Sequence, residues 1–446
     1  VQDGRTTIFA PASGRGRAAI AVLRISGPAA ALVAERLAGG VPAPRRATVA
    51  SLAGGADAGA IDEALLLYFP APASFTGEDV LEIQHHGGLA TARALFETLA
   101  AMPDLRPAEP GEFTKRAFLN GKLDLTQAEG LADLIDATTR AQARAALRQL
   151  AGRQGALYAA WREQLLQALA MVEAEIDFAA EEEVPEAMWQ GLAATISALA
   201  ATIGRHLDDG HRGERLREGL TVVVVGAPNV GKSSLVNALA RRDVAIVTPL
   251  PGTTRDIIEV ALELDGLPLT LLDTAGLRDS DDPVEREGIA RARSRAEQAD
   301  LRLWVVDHPA HGGPVAEAGI AGAAGGTVTV LNKADLWPDM AAPAGVVTVS
   351  ALTGEGIDDL LVVLASRAQE LLAGGDAALI TRSRHRAALE AARAALERAL
   401  ALGDDDDLGL LAEELRLAAR AIGRVTGAIG VGDILDRVFS TFCIGK

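Results

Sequence analysis

Leu220-Thr221-Val222-Val223-Val224-Val225-Gly226-Ala227-Pro228-Asn229-Val230-Gly231-Lys232-Ser233-Ser234 is the stretch that decides the fold. Its β-branched run, Thr221 to Val225, is what a central parallel strand covered on both faces requires. A glycine-bearing turn follows, and then a helical run, Ser234 to Ala240. Strand, turn and helix in that order let backbone N–H groups curl toward phosphate oxygens at the positive end of a helix. Asn229, Val230, Gly231, Lys232, Ser233 and Ser234 are therefore expected around phosphates, with the Lys232 ammonium on the β- and γ-groups and the Ser233 hydroxyl on Mg²⁺. An ordinary glycine turn is the competing reading of this motif taken alone.

Three stretches further along decide against that alternative. Asp273-Thr274-Ala275-Gly276 follows the apolar run Leu269–Leu272, where a carboxylate can hold the Mg²⁺ shell and the Gly276 N–H can meet a γ-phosphate. Asn332-Lys333-Ala334-Asp335 follows the run Val328–Leu331. The Asp335 carboxylate can accept from guanine N1–H and its exocyclic amine, whereas adenine offers an acceptor at N1 and leaves the pair unmatched. The Lys333 stem would lie along the base, and Ser350, Ala351 and Leu352 would complete the pocket. The nucleotide implied is GTP. Leu277, next after that glycine, is apolar and cannot orient water as a glutamine does. Asn229 together with Thr248-Pro249-Leu250-Pro251-Gly252-Thr253-Thr254 suits a monovalent cation, K⁺, set beside the phosphates, with Thr254 closing on Mg²⁺. Glu285 is a candidate for holding the attacking water; read from the residues alone, it is equally a solvated carboxylate at a helix start.

Outward from this core, strand-like and helical runs alternate to about residue 372, with Leu301–Val306 a further strand, which predicts a Ras-like doubly wound P-loop domain over 218–372. His311 to Thr327 reads as a surface loop. Residues 1–121 read as mixed α/β, with strands at Ala18–Ile25, Leu65–Phe69 and Val80–Ile83 and a helix after Pro28. Residues 122–217 and 373–446 are helical in pattern, the latter with helices at Ala387–Leu402 and Leu408–Ala421; Glu181–Glu183 and Asp404–Asp407 read as loops. The economical arrangement is one helical domain built from both blocks, with the P-loop domain inserted between them.

Composition bounds the rest. The 446 residues suggest about three domains. With 49% hydrophobic and 23% charged residues the chain can build cores and is not a disordered one. A net charge of -17 disfavours a stand-alone nucleic-acid binder. Cys443, the lone cysteine, makes no internal disulfide and fits a reducing compartment. With no apolar run of about 18 residues and no basic-then-apolar start, a cytoplasmic protein without a membrane span is expected. Adjacent histidines, His85 and His86, cannot both face one ion from a strand, so no metal is expected there.

Several further motifs carry a resemblance. They are Gly14-Arg15-Gly16, Leu23-Arg24-Ile25-Ser26-Gly27, Ser74-Phe75-Thr76-Gly77-Glu78-Asp79, Pro110-Gly111-Glu112-Phe113, the run Arg116 to Asp124, Gly252-Thr253-Thr254-Arg255-Asp256, and Phe442-Cys443-Ile444-Gly445-Lys446. In this order, with the nucleotide motifs, the chain resembles the bacterial tRNA-modifying GTPases called MnmE or TrmE over essentially its whole length. The resemblance implies a tetrahydrofolate, in its 5-formyl or 5,10-methylene form, and dimerisation through the N-terminal domain. It implies that Arg24, Glu82, Lys122 and Lys446 touch the folate and that Cys443 lies near it as a nucleophile or acid. It also implies a K⁺-stimulated GTPase in which Asn229, Thr248, Leu250 (through its carbonyl) and Thr253 hold K⁺, Ser233 and Thr254 ligate Mg²⁺, and Glu285 is the catalytic carboxylate. The partner implied is a MnmG or GidA flavoprotein using FAD and NADH, the substrate tRNA, and the product a carboxymethylaminomethyl-type group on C5 of the wobble uridine. Pro251 departs from the family, where alanine is expected; it constrains Leu250 before it, and with it the K⁺ loop. The competing function is a regulatory GTPase switch in ribosome assembly or signalling, which the negative charge and the lack of an appended RNA-binding module disfavour.

Overall fold

The computed structural model describes residues 6–14, 16–54, 59–178, 186–209, 211–242, 244–245, 259–273, 297–307, 326–337, 345–373, 380–402, 408–429, 435, 438–440, 442 and 445. The expected loops at Glu181–Glu183 and Asp404–Asp407, and nearly all of His311–Thr327, lie outside these residues. The chain forms two compact units. One comprises Val1–Ala132, Gln149–Gln164 and Ala419–Lys446; the other comprises Asp133–Arg148 and Leu165–Ala418.

In the first unit, alternation of apolar and polar residues builds strands β1 (Thr7–Pro11), β2 (Ile20–Ser26), β3 (Thr48–Ala53), β4 (Ala60–Phe69), β5 (Val80–His86) and β6 (Leu105–Pro107). Among the described residues they make a six-stranded sheet in the order β3-β4-β5-β2-β1-β6, antiparallel except where β6 runs parallel to β1. Helices α1 (Ala30–Ala38) and α2 (Leu89–Ala100) cover one face. Val33, Leu37, Leu95 and Leu99 pack there on Phe9, Leu23, Ile25, Leu66, Leu81 and Ile83. On the opposite face α3 (Glu112–Leu119) brings Phe113 onto Ile8 and Ala10. Helix α4 (Leu125–Asp136) then forms an apolar cluster with the chain's tail: Leu125, Ala128 and Ala132 with Leu435, Phe439 and Phe442.

In the second unit, β7 (Leu220–Val225) is the β-branched run before the phosphate turn, with Val222, Val223 and Val224 fully inaccessible. It lies between β10 (Leu301–Val306) and β9 (Leu267–Asp273), in the order β12-β11-β10-β7-β9-β8 among the described residues. β11 (Thr327–Leu331) and β12 (Val346–Thr348) continue the parallel run on one side. On the other side β8 (Glu259–Leu264) pairs antiparallel with β9 through the two-residue turn Asp265-Gly266, both at positive φ. That edge strand was not anticipated, although Asp-Gly between apolar runs is a hairpin signal. Helices α9 (Lys232–Ala240) and α10 (Ile357–Leu372) supply Leu235, Val236, Leu239, Ile357, Leu360 and Leu364 to the core. Helix α9 begins at Lys232 rather than Ser234, because Gly231 takes the left-handed conformation and the next residue is already helical.

The same unit holds α7 (Glu186–Leu207), α8 (Arg212–Glu218) and α11 (Ser383–Ala401). Arg386 of α11 donates to the Leu207 carbonyl and pairs with Asp209 and Glu214. Arg215 of α8 pairs with Asp300 just before β10, at 2.7 Å. The remaining helices among the described residues are α5 (Arg140–Leu150), α6 (Arg153–Phe178) and α12 (Leu408–Thr426).

Candidate functional sites

The carboxyl ends of β7, β9, β11 and β12 carry the nucleotide motifs, as the topology of an open parallel sheet favours. After β7 the chain turns through Gly226 and Asn229, at φ 154° and 64°, to Gly231 at φ 95°. Gly231 is obligatory on two counts: its φ suits glycine, and a Cβ there would sit 2.3 Å from Asn332 Nδ2. Asn332 is buried and locks the turn from the next motif, donating from Nδ2 to the Val230 carbonyl at 2.9 Å. Lys232 Nζ donates to the Gly226 and Ala227 carbonyls, each at 3.0 Å. Ser233 Oγ donates to Asp273 Oδ2 at 2.6 Å. Two hard oxygen donors from α9 and the end of β9 thus meet at one point, a donor set that fits Mg²⁺. Ser234 is exposed on the first turn of α9. Asn229 is exposed, and its amide makes no hydrogen bond among the described residues.

The base pocket is held from behind. Asn332 Oδ1 accepts from the Ala351 N–H at 3.0 Å, and Asp335 Oδ1 accepts from Ser350 Oγ at 2.6 Å. Asp335 lies on a 3-10 turn, Ala334–Leu336, that opens at Lys333 with φ 63°. Leu352, 86% exposed, stands at the lip. Asp307, which the sequence reading missed, holds Lys333 Nζ at 2.9 Å. Its only signal was its place one residue past an apolar strand. Thr248, Pro249, Leu250, Pro251, Gly252, Thr253, Thr254, Thr274, Ala275, Gly276 and Glu285 lie outside the described residues.

On the first unit's sheet, register β2·β5 sets Arg24 opposite Glu82. Arg24 donates from Nε to Glu82 Oε1 at 2.9 Å, and its guanidinium lies 5.5 Å from the Phe75 ring and 5.9 Å from that of Phe113. Neither aromatic had been read as part of a site. Lys122 Nζ donates to the Pro72 carbonyl and Asn120 Nδ2 to that of Thr76, so one loop, 72–78, touches both Lys122 and, through Phe75, Arg24. Beneath it runs a chain of ion pairs. Ser26 Oγ donates to Glu78, Glu78 pairs with Arg116 at 3.0 Å, and Arg116 with Glu112, which also holds Arg106. Burial pushes the Glu112 carboxyl up, but hydrogen bonds from Arg106, the Glu109 N–H and Arg116 outweigh it and hold it below its ordinary value. Cys443 and Lys446 lie outside the described residues, but their neighbours are placed: Phe442 packs on Phe439, and Gly445 lies against the Pro11 carbonyl. His85 Nδ1 bonds the His86 carbonyl and His86 Nδ1 bonds Asp62; no metal-type cluster of three His, Cys, Asp or Glu occurs among the described residues. No helix among them is long and apolar enough to cross a membrane.

Two family profiles match the chain: GTP-binding protein TrmE N-terminus over residues 7–122, and MnmE helical domain over residues 125–443. The chain belongs to the MnmE family. It is 52% identical to the tRNA modification GTPase MnmE of Rhodospirillum rubrum, over 99% of each chain. It is equally identical, with the same coverage, to the MnmE of Methylobacterium sp. strain 4-46. With the MnmE of Parvibaculum lavamentivorans the identity is 51%, over 99% of this chain and 100% of that one. Membership of the MnmE family thus rests on both profiles and on full-length relatives, and the strand-end motifs and the Arg24–Glu82 pair both lie within that shared length.

Proposed function

We propose that this chain is a GTP hydrolase that acts in tRNA modification. The observation that carries the reading is the base pocket: Asp335, oriented by Ser350, faces the edge that guanine fills with two donors, while Asn332 ties that pocket to the phosphate turn. Lys232 exchanges its two loop carbonyls for phosphate oxygens, and the N–H groups from Val230 to Ser234, with Gly276, cradle the phosphates. Ser233 and Thr254 ligate Mg²⁺, with Asp273 in its outer shell. Asn229, Thr248, Leu250 and Thr253 hold K⁺. The two ions supply positive charge where it builds up between the separating phosphates. Pro249, Pro251 and Gly252 shape that loop, and Glu285 orients the attacking water.

The second half of the proposal concerns the N-terminal sheet. Glu82 suits the donor edge of a pterin, and Arg24, Lys122 and Lys446 suit the carboxylates of a tetrahydrofolate tail. The tail's packing on α4 and against β1 supports Cys443 acting at that folate. The sheet face that carries Arg24 also presents Ile20 and Val49, 63% and 65% exposed, with Val22, Leu65 and Leu67 half-buried between them. These exposed apolar side chains, interleaved with Arg24, Glu82 and Gln84 on the same face, suit contact with a second copy of the chain. Together with a MnmG-type flavoprotein that provides FAD and NADH chemistry, the dimer transfers a folate one-carbon unit toward the carboxymethylaminomethyl group on C5 of the wobble uridine. The reaction belongs in the cytoplasm, where tRNA, GTP and reduced folate meet.

The test is reconstitution of tRNA with the flavoprotein, tetrahydrofolate and GTP, followed by nucleoside analysis. Modified uridine should appear only with all components present; an unchanged nucleoside profile overturns the proposal. Replacing K⁺ by Na⁺ should slow GTP turnover at least about tenfold, and Asn229→Lys should remove that response. Equal turnover in both salts overturns the cation assignment.

A further inference from the structure

The two lysines of the nucleotide site are anchored differently. Lys232 Nζ rests on two neutral carbonyls of its own loop, acceptors that it can trade for phosphate oxygens without leaving a charge behind. Lys333 Nζ is tied at 2.9 Å to a carboxylate, Asp307 Oδ2, in a pair about one-third exposed at each partner. A charge-assisted bond so sheltered is harder to exchange. Strand register brings the two together. β10 and β11 pair Val306 with Leu331, and the Asn332 N–H still bonds the Val306 carbonyl at 2.7 Å, so Asp307 and Lys333 are the first residues past the ladder on adjacent strands. Lys333 also sits at positive φ, an unusual conformation for a long side chain, and the structure fixes it at both ends.

We infer that Asp307 is a positioning residue for nucleotide binding. It keeps the Lys333 ammonium away from the phosphates and holds the four-carbon stem ready as a surface for the face of the purine. The inference rests on the reading of this pocket as a guanine site. A free lysine stem has many rotamers to lose on binding; tethering the ammonium in advance removes most of that cost. Asp335 reads the edge of the base, so the division of labour is explicit: Asp307 and Lys333 serve the ring face, Asp335 and Ser350 the edge.

Titration calorimetry with GDP and with inosine diphosphate, which lacks the exocyclic amine, separates the two roles. Asp307→Asn should weaken both nucleotides equally, by about five- to twentyfold, leaving their affinity ratio unchanged. Lys333→Met should weaken both at least as much, and Asp307→Asn should add nothing in the Lys333→Met background. Asp335→Asn should instead collapse the preference for GDP. Should Asp307→Asn not fold, Lys333→Gln breaks the pair from the other side and should reproduce the equal weakening. A wild-type chain that binds no GDP overturns the guanine reading itself. If GDP binds but the Asp307→Asn chain binds it as tightly as wild type, shifts the ratio, or adds its full effect on top of Lys333→Met, the positioning role is wrong while the guanine site stands.

Discussion

In the parallel sheet, the groups proposed for chemistry stand past the ends of strands, on turns whose backbone dictates which residue can occupy them. In the antiparallel sheet they stand mid-strand, Arg24 on β2 and Glu82 on β5, and meet because register sets them opposite each other. The difference teaches what kind of site a single sequence can display. Strand-end sites are built from contiguous turns, so their residue types come as motifs. A mid-strand site is assembled from residues 58 apart, and nothing local marks the pairing. If the two sites are separate devices, a change that ruins one should leave the other intact.

The largest effect expected is from Gly231→Ala. A Cβ at φ 95° and 2.3 Å from Asn332 Nδ2 forces apart the phosphate turn and the base motif. GDP affinity should fall about a thousandfold, the sum of backbone strain and a lost buried hydrogen bond. Tetrahydrofolate binding, measured on the same protein by calorimetry, should be unchanged. A parallel loss of folate affinity would break the comparison.

Next in size is Arg116→Ala. Arg116 joins Glu78 to Glu112 beneath the Arg24 loop, and its removal leaves two carboxylates short of a partner, Glu112 almost inaccessible. Breaking a buried pair in this way costs about 3 kcal/mol. Hydrogen exchange should show β2, β5 and α3 losing protection by that amount while β7 and β10 keep theirs. Uniform loss across both sheets would mean that the two do not open independently.

Legibility followed that divide only in part. β10 was read at its observed limits, Leu301–Val306, and the described motif residues Gly226–Ser234, Asp273 and Asn332–Asp335 stand at the ends of β7, β9 and β11, where the apolar runs before them put them. β8 was missed because Glu259 and Glu263 interrupt its apolar pattern at the sheet edge, where one-sided burial is enough. The start of β4 was missed for a similar reason: Asp62 and Glu63 look like loop, yet Asp62 accepts from the His86 N–H across the sheet. Asp307 escaped notice because an aspartate after a strand usually meets water, and only the neighbouring strand reveals Lys333 beside it. Phe75 and Phe113 stood within recognisable motifs, but their stacking on Arg24 depends on three separate segments converging.

The smallest effect sharpens the comparison through pH. His206, near the end of α7, is half-buried, and burial holds its pKa below 6.5; Asp209 works against this, while the charges of Arg386 and His385 add to it. The folded state therefore favours the neutral ring. The stability this provides is complete above pH 6.5 and is lost as pH falls through the depressed native value. In the first unit Glu112 is likewise depressed, but from 4.5, so its contribution is complete above pH 4.5 and fades only in stronger acid. Lowering the pH from 7 toward 5 should thus increase hydrogen exchange at the carboxyl end of α7, by at most about tenfold per pH unit because one proton is taken up, while α3 stays protected. His206→Gln should flatten the first response and leave the second alone. If α3 loosens over the same interval, the ion-pair chain of Arg106, Glu112, Arg116 and Glu78 is not what holds that face, and the separation between the two sheets fails at its weakest joint.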